Sequence, residues 1–198
     1  MDPAALVALI GAGLALAGSP GPNTMSLAAT GAAFGARQGF VYMLGIDAGM
    51  LVVMALVATG TVGVLLAIPG ATPVAAILAV GYFLYLAWRI ATAPALGAVG
   101  AERRPPSWHD GVLLSLVNPK GYVAMLALFS GHRVLKGLAA DAGLKIAVLM
   151  AIIVGVNIVW LMAGGGLARL FRNPSTSRIL NLVFAALLLA SAIALLPR

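Results

Sequence analysis

The sequence lacks cysteine altogether and is poor in charge, and each shortage excludes a class of protein. Without cysteine there are no disulfides, no thiolate metal sites and no thiol redox chemistry. Charged residues make up only 9% of the chain, whereas hydrophobic residues make up 62% and the mean hydropathy is +1.08. Soluble domains contain about a quarter charged residues. The composition therefore predicts a membrane protein.

Acidic residues are the scarcer charged class, with 5 against 12 basic residues. In a soluble protein this excess would suggest binding to nucleic acid. Here the basic residues fall mainly in breaks between apolar runs, as in cytoplasmic loops, so no nucleic-acid partner is expected. Four basic residues lie on one side of the predicted membrane, namely Arg133, Lys136, Lys145 and Arg198. Seven lie on the other side, near the breaks after the first, third and fifth runs, namely Arg37, Arg89, Arg103, Arg104, Arg169, Arg172 and Arg178. This split predicts that both termini lie outside the cytoplasm.

Six apolar runs are long enough to span a bilayer, which takes about 20 residues per crossing. They cover Ala4–Phe34, Phe40–Ile68, Val74–Ala93, Gly111–Gly131, Gly143–Leu167 and Ile179–Leu196. We predict an all-α polytopic membrane protein with about six transmembrane helices in a single domain over residues 1–198. A polar loop, 94–110, divides it into halves of about 1–93 and 111–198. The first run is interpreted as a retained helix because no basic residue precedes it.

Two of the runs are interrupted at comparable places in the two halves. The first contains Ser19-Pro20-Gly21-Pro22-Asn23, and the fourth contains Asn118-Pro119-Lys120-Gly121. Proline and glycine break helices, and irregular backbone at membrane depth must be buried in protein or face a wet cavity. Matching broken helices indicate the binding site of a transporter, usually within an inverted repeat. We therefore expect both breaks to approach a shared cavity; the alternative is a pair of plain proline kinks.

Asp47 is the only carboxylate within an apolar run. An Asp at the bilayer centre costs about 2.5–3.5 kcal/mol, so an idle one would be unexpected. It could bind and release a proton during transport, or it could be a structural acid that bridges helices. On a helix, one face of this run carries the acid with Met43, Met50 and Met54 and the opposite face carries Gly45 and Gly49. The methionines could line a passage or pack in the core, and the glycines suit close helix packing.

Lys120 and Asn157 are the remaining deep polar residues. Lys120 lies midway along its run and could pair with Asp47 or hold the carboxylate of a substrate. Asn157 occupies a place in the second half analogous to that of Asp47, although a single Asn often only bridges helices. The candidate substrate-binding residues are Pro20, Gly21, Pro22, Asn23, Asn118, Pro119, Lys120 and Asn157. The spacings Gly31 to Gly35 and Gly45 to Gly49 are compatible with a homodimer.

Together, the two interrupted motifs resemble the paired signatures of the lysine and homoserine/threonine exporter superfamily (LysE/RhtB), and the likeness covers almost the whole chain. Supporting segments are 81–89 and 111–117, and Asp47 and Asn157 match family positions in the second and fifth helices. After the fourth helix the chain departs from the family, with Phe129-Ser130-Gly131-His132-Arg133. The resemblance implies a multi-pass exporter of amino acids or similar small metabolites in the bacterial cytoplasmic membrane, driven by the proton gradient. It implies no cofactor and no metal.

Other functions are less compatible with the sequence. An intramembrane enzyme would need a nucleophile with a base or a metal cluster at depth, and both histidines lie at helix ends. A membrane electron carrier related to the superfamily would use paired cysteines, which are absent. A cation or metal exporter would need several buried carboxylates or thiolates. A passive channel or a helper subunit stays open as an alternative.

Overall fold

The computed structural model describes residues 1–62, 67–70, 105–131 and 133–172, together with positions 74, 77, 81, 84, 88, 178, 179, 182, 183 and 186. Its helices are α1 (Pro3–Gly18), α2 (Pro22–Phe34), α3 (Ala36–Ala58), α4 (Trp108–Val117), α5 (Pro119–Ser130) and α6 (Leu138–Arg172). No strand occurs in these ranges, which confirms the all-α prediction. The predicted third and sixth runs and the loop 94–110 lie largely outside the described residues.

Several helices have the length and apolarity needed to cross a bilayer. Two helices meet both criteria alone, namely α3 and the part of α6 over Leu138–Gly165. Two bent pairs, α1 with α2 and α4 with α5, also meet them if each pair is counted as one span. At about 1.5 Å per residue, the 23 residues of α3 extend about 35 Å, against about 30 Å of hydrocarbon. Large apolar side chains also face outwards, for example Val7 (70% exposed) and Val159 (65% exposed). A polytopic membrane protein is confirmed.

The predicted breaks are present, and each is a short extended segment followed by a proline. Ser19 leaves α1 with φ −67° and ψ 143°, Gly21 is fully extended, and Pro22 is the first residue of α2. In the second half only Asn118 is extended, and Pro119 is the first residue of α5. Proline suits this position because its φ is already helical and its missing N–H is not needed. The helix axes bend by 55° at the first break and by 62° at the second.

Two predicted boundaries are wrong. The second run ends early, because α3 stops at Ala58 and the chain turns at Thr59 and Gly60, where φ is +74°. The fifth run begins early, because α6 starts at Leu138, directly after Gly137 with φ +95°. Hydropathy places the start of this helix too late because its first turn contains Asp141, which is charged but buried.

Close helix packing within the chain depends on glycine. A Cβ at Gly164 of α6 would collide with the Ala28 carbonyl of α2, and one at Gly31 would collide with the Leu161 carbonyl. At the second crossing, a Cβ at Gly45 would collide with the Trp108 carbonyl of α4, and one at Gly49 would lie 2.8 Å from the Val112 carbonyl. Three of the four glycines that suggested a homodimer, Gly31, Gly45 and Gly49, thus pack helices of one chain together, so a homodimer stays a prediction without their support.

Candidate functional site

The two helix breaks meet through a pair of asparagines. Asn118 Nδ2 donates a hydrogen bond of 2.9 Å to Asn23 Oδ1. Asn23 is the second residue of α2, and Asn118 joins α4 to α5, so this bond connects the broken helices of the two halves. The expected approach of the breaks is therefore observed. That these residues bind substrate stays a prediction.

The ammonium group of Lys120 lies at the C-terminal end of α1. Its Nζ donates to the Ser19 carbonyl oxygen at 2.7 Å, to Ser19 Oγ at 2.8 Å and to the Pro20 carbonyl oxygen at 3.2 Å. A cation is favoured there because the C-terminal end of a helix carries partial negative charge. The side chain crosses directly over Gly21, where an added Cβ would lie 2.8 Å from Lys120 Cδ.

Lys120 forms no ion pair with Asp47 in the part of the chain described here, so that suggested pairing is wrong for this state. The reason is spatial: the C-terminal end of α1 reaches the start of α5, and its oxygens meet the ammonium first. Sequence alone does not reveal this contact, because it depends on how two helices from different halves are placed. Holding a substrate carboxylate, the other suggested role of Lys120, stays a prediction.

Helix ends of opposite polarity meet at the breaks. Gly21 is the N-cap residue of α2, and its N–H donates to Thr24 Oγ1 at 2.9 Å. Asn118 is the N-cap residue of α5, and its Oδ1 accepts from the backbone N–H of Lys120 at 3.1 Å. The starts of α2 and α5 carry partial positive charge, whereas the end of α1 carries partial negative charge. The arrangement can therefore bind an anionic and a cationic group near each other.

A cavity of about 60 Å³ lies between the breaks. Five predicted substrate-binding residues line it, namely Gly21, Asn23, Asn118, Lys120 and Asn157, and apolar side chains such as Leu16 and Ile153 complete its wall. Because one water needs about 10–15 Å³, this space holds a few waters. Pockets for drug-sized ligands measure about 300–1,000 Å³, so this cavity is considerably smaller than those. Pro20, Pro22 and Pro119 shape the breaks and do not line the cavity.

Asp47 is buried beside the cavity and is held by one residue of its lining. Asp47 is 5% exposed and Asn157 is 3% exposed. Asn157 Nδ2 donates to Asp47 Oδ1 at 2.7 Å. Asp47 Oδ2 is buried and has no hydrogen-bond partner among the described residues. Asn157 thus separates the carboxylate from the cavity, a direct contact that the sequence analysis did not predict.

The methionines on the Asp47 face have different surroundings. Met43 and Met54 are 1% and 0% exposed and belong to the packed core. Met50 is also in the core but lines the cavity. Core packing therefore accounts for two of the three residues, and only Met50 is placed to contact a ligand.

Ser115 belongs to the site, although the sequence analysis did not single it out. Its hydroxyl accepts from Asn23 Nδ2 at 3.1 Å and donates to the Ile46 carbonyl oxygen at 2.8 Å. The asparagine pair is thereby connected to α3 at the residue that precedes Asp47. A signal existed, since Ser115 is a hydroxyl flanked on both sides by apolar residues, but serines satisfied within their own helix give the same pattern.

A buried ion pair lies away from the cavity and was also missed. Lys145 Nζ is 3.1 Å from Asp141 Oδ2, and the lysine is 2% exposed. Asp141 Oδ1 accepts from the backbone N–H groups of Val134 and Leu135, at 2.6 and 2.9 Å, and Lys145 donates to the Phe129 carbonyl oxygen. These bonds fasten the α5–α6 connection to α6. The spacing of four residues between acid and base was the available signal.

Comparisons with known proteins identify the family. The model of the LysE type translocator family matches residues 14–198. Relatives named "Cysteine/O-acetylserine efflux protein" from Escherichia coli O139:H28 (strain E24377A / ETEC), Escherichia coli (strain K12) and Shigella sonnei (strain Ss046) are each 30% identical over 194 residues. The match covers 98% of this chain and 98% of each relative. No solved structure matches the chain. The chain therefore belongs to the LysE type translocator family and is a membrane transporter rather than an enzyme.

Proposed function

We propose that this transporter exports small amino acids, of the size and polarity of cysteine or O-acetylserine, in exchange for protons. The names of relatives that match over nearly their whole length support the substrate class. The observation that carries the proposal is the convergence of both helix breaks on one cavity, where Lys120, Asn23 and Asn118 supply polar groups. Broken helices that meet at the repeat interface are where secondary transporters bind substrate.

The cavity is suited to a small polar ligand that carries opposite charges. A carboxylate would be favoured near the starts of α2 and α5, and Gly21 lets a ligand approach the backbone because it has no side chain. The cavity must widen to admit an amino acid, and the two bent helix pairs, with bends of 55° and 62°, form its two sides. Pro20, Pro22 and Pro119 keep these bends in place.

Asp47 is proposed as the residue that couples transport to protons. An ionised carboxylate needs donors on both oxygens, yet only Oδ1 receives one, from Asn157, within the described structure. A protonated carboxyl would instead carry a hydrogen that seeks an acceptor. Neither the ionised nor the protonated form of Asp47 therefore has all of its hydrogen bonds in this conformation. A conformational change around Asn157 could alter which of the two forms is preferred. Asn157 lines the cavity, so it can transmit the presence of substrate to Asp47.

The proposed location is the cytoplasmic membrane, with both termini outside the cytoplasm. Lys145 is buried in an ion pair and is no loop charge, so the split of basic residues becomes seven against three. Because the sequence has no cysteine, single introduced cysteines test this topology. A membrane-impermeant maleimide added to intact cells with a permeabilised outer membrane should label Lys136→Cys and not Arg37→Cys. The reverse pattern would contradict the orientation.

Substrate binding at the breaks can be tested by counterflow of radiolabelled L-cysteine in proteoliposomes. Asn118→Ser keeps an oxygen that can cap α5 but is too short to reach Asn23, so counterflow should fall strongly. The control is Ser130→Ala in α5, since the exposed Ser130 hydroxyl, among the residues that the structure describes, bonds only the Ala127 carbonyl oxygen of its own helix. The control should transport like the wild type. Equal counterflow by both variants would contradict the site.

A further inference from the structure

The oxygens around the Lys120 ammonium form a site whose chemistry fits any primary ammonium. Three oxygens surround Nζ: the Ser19 carbonyl oxygen at 2.7 Å, the Ser19 hydroxyl oxygen at 2.8 Å and the Pro20 carbonyl oxygen at 3.2 Å. An ammonium group has three N–H donors and no acceptor, so three oxygens use all of its hydrogen-bonding capacity. The location at the end of α1 adds a favourable interaction with the helix dipole.

The ammonium in this site belongs to a side chain that can leave it. Lys120 lines the cavity and is only partly buried, and a lysine stem has four flexible carbons. The three oxygens come from the backbone and side chain of the break, which the helices on either side hold in place. The oxygens thus belong to the break itself, whereas the cation is the end of a flexible side chain from α5.

We propose that these three oxygens are the subsite for the α-ammonium group of the substrate, and that Lys120 occupies it while the transporter is empty. On binding, the substrate ammonium takes the place of Nζ, and Lys120 turns into the cavity to pair with the substrate carboxylate. The Ser19 and Pro20 oxygens, which Lys120 separates from the cavity in the empty state, then become part of its wall. This inference rests on the proposed function and defines the substrate class as molecules that carry a primary ammonium and a carboxylate together.

The exchange favours a zwitterion because it leaves no charged group unpaired. An acid without an ammonium could attract Lys120 only by leaving the oxygens at the end of α1 without a donor. An amine without a carboxylate would displace Lys120 and give it no anion. Either loss removes hydrogen bonds to a charged group, so each single-charge analogue should bind at least about tenfold more weakly than the amino acid.

A substitution at Gly21 can move the Lys120 ammonium off its oxygens without removing the lysine. An added Cβ there would lie 2.8 Å from Lys120 Cδ and 2.9 Å from Nζ, and the backbone of Gly21, with φ −169°, accepts any residue. Gly21→Ala should therefore move the lysine off its oxygens at little cost in stability, because the displaced atoms end a flexible side chain. Gly18→Ala is the matched control, since a Cβ at Gly18 meets nothing within 4 Å.

The first test is chemical rescue of Lys120→Ala, measured by thermal unfolding of the purified protein in detergent. Ethylammonium chloride can fill the vacated oxygens, whereas tetramethylammonium chloride has the same charge and no N–H donor. Ethylammonium at about ten times its dissociation constant should raise the Tm of the variant by about 3–6 °C relative to tetramethylammonium. The wild type should show no difference between the two salts. Equal effects of both salts on the variant would overturn the proposal.

Gly21→Ala answers the same question if Lys120→Ala does not fold. Its added Cβ lies 2.9 Å from the Nζ position and blocks the three oxygens for any ammonium, so L-cysteine counterflow should fall strongly, whereas Gly18→Ala should behave like the wild type. Counterflow at the wild-type rate in a folded Gly21→Ala would count against the subsite as firmly as failed rescue of Lys120→Ala.

The second test compares competitors of L-cysteine counterflow in the wild type. Unlabelled L-cysteine should compete at least about tenfold better than N-acetyl-L-cysteine or cysteamine, which each lack one charge. Equal competition by either analogue would contradict the exchange. The two proposals fail differently: without L-cysteine counterflow the proposed function fails, whereas counterflow without selective ethylammonium binding refutes the subsite alone.

Discussion

The hydrogen bond between Asn157 and Asp47 should reveal whether the acid changes its protonation state. The bond is 2.7 Å long, and both residues are buried at the crossing of α3 and α6. A double-mutant cycle with Asp47→Ala, Asn157→Ala and the double variant isolates the energy of this contact. The expected energy depends on the charge of Asp47, so its pH dependence becomes the observable.

The two protonation states predict different magnitudes. Hydrogen bonds between neutral side chains in a membrane protein average about 0.6 kcal/mol and reach about 1.7. Bonds to a charged group contribute about 1.5–3 kcal/mol. Because Asn157 donates to Asp47, its bond strengthens when the carboxyl loses its proton. The coupling energy should therefore rise with pH by about 1–2 kcal/mol.

The assay is equilibrium unfolding of purified protein in mixed micelles with increasing SDS, at pH 5 and at pH 8.5. Both single variants and the double variant are measured at each pH, and the wild type supplies the fourth corner of the cycle. A coupling energy that stays near 0.6 kcal/mol at both values would mean that Asp47 keeps its proton throughout. Asp47 would then be a structural acid that bridges α3 and α6, and the reasoning on proton coupling would be refuted.

Three further predictions follow from the packing and the polar network. Gly164→Ala should lower the free energy of unfolding by about 1–3 kcal/mol, because its Cβ meets the α2 backbone, whereas Gly155→Ala, on the open side of α6, should raise it slightly. Lys145→Met should lower the free energy of unfolding by about 3–5 kcal/mol, because Asp141 Oδ2 loses its cation, and adding Asp141→Asn should recover part of this loss in the same unfolding assay. Ser115→Ala should cost about 1 kcal/mol and reduce L-cysteine counterflow, because it frees Asn23; unchanged counterflow would separate Ser115 from the site.

The sequence predicted those parts of the fold that depend on local chemistry. Pro22 and Pro119 each begin a half-helix, and their matching positions in the two halves correctly indicated that the breaks meet. Gly45 and Gly49 were correctly assigned to close packing, because only a missing side chain allows that approach. Their partner was not predictable, since one helix surface does not tell whether α4 or a second chain covers it.

The parts that failed depend on contacts between distant segments. Lys145 was counted as a loop charge because a lysine near the end of an apolar run normally faces water. Its burial became possible only because Asp141 and the Phe129 carbonyl oxygen accept from it. Lys120 was expected to face an acid or a substrate, but the nearest oxygens belong to a helix end 100 residues away in sequence. Hydropathy contains no information on either contact.

The central claim, that Asp47 couples export of an amino acid to protons, is tested most directly by transport through Asp47→Asn in proteoliposomes. This substitution keeps the size of the side chain and its capacity to hydrogen-bond Asn157, and it removes the titratable group. In the wild type, an imposed pH gradient should drive L-cysteine uphill, and counterflow should proceed without a gradient. The account predicts that Asp47→Asn loses gradient-driven accumulation and retains counterflow. Uphill transport by the folded variant at the wild-type rate and with the same pH dependence would contradict it.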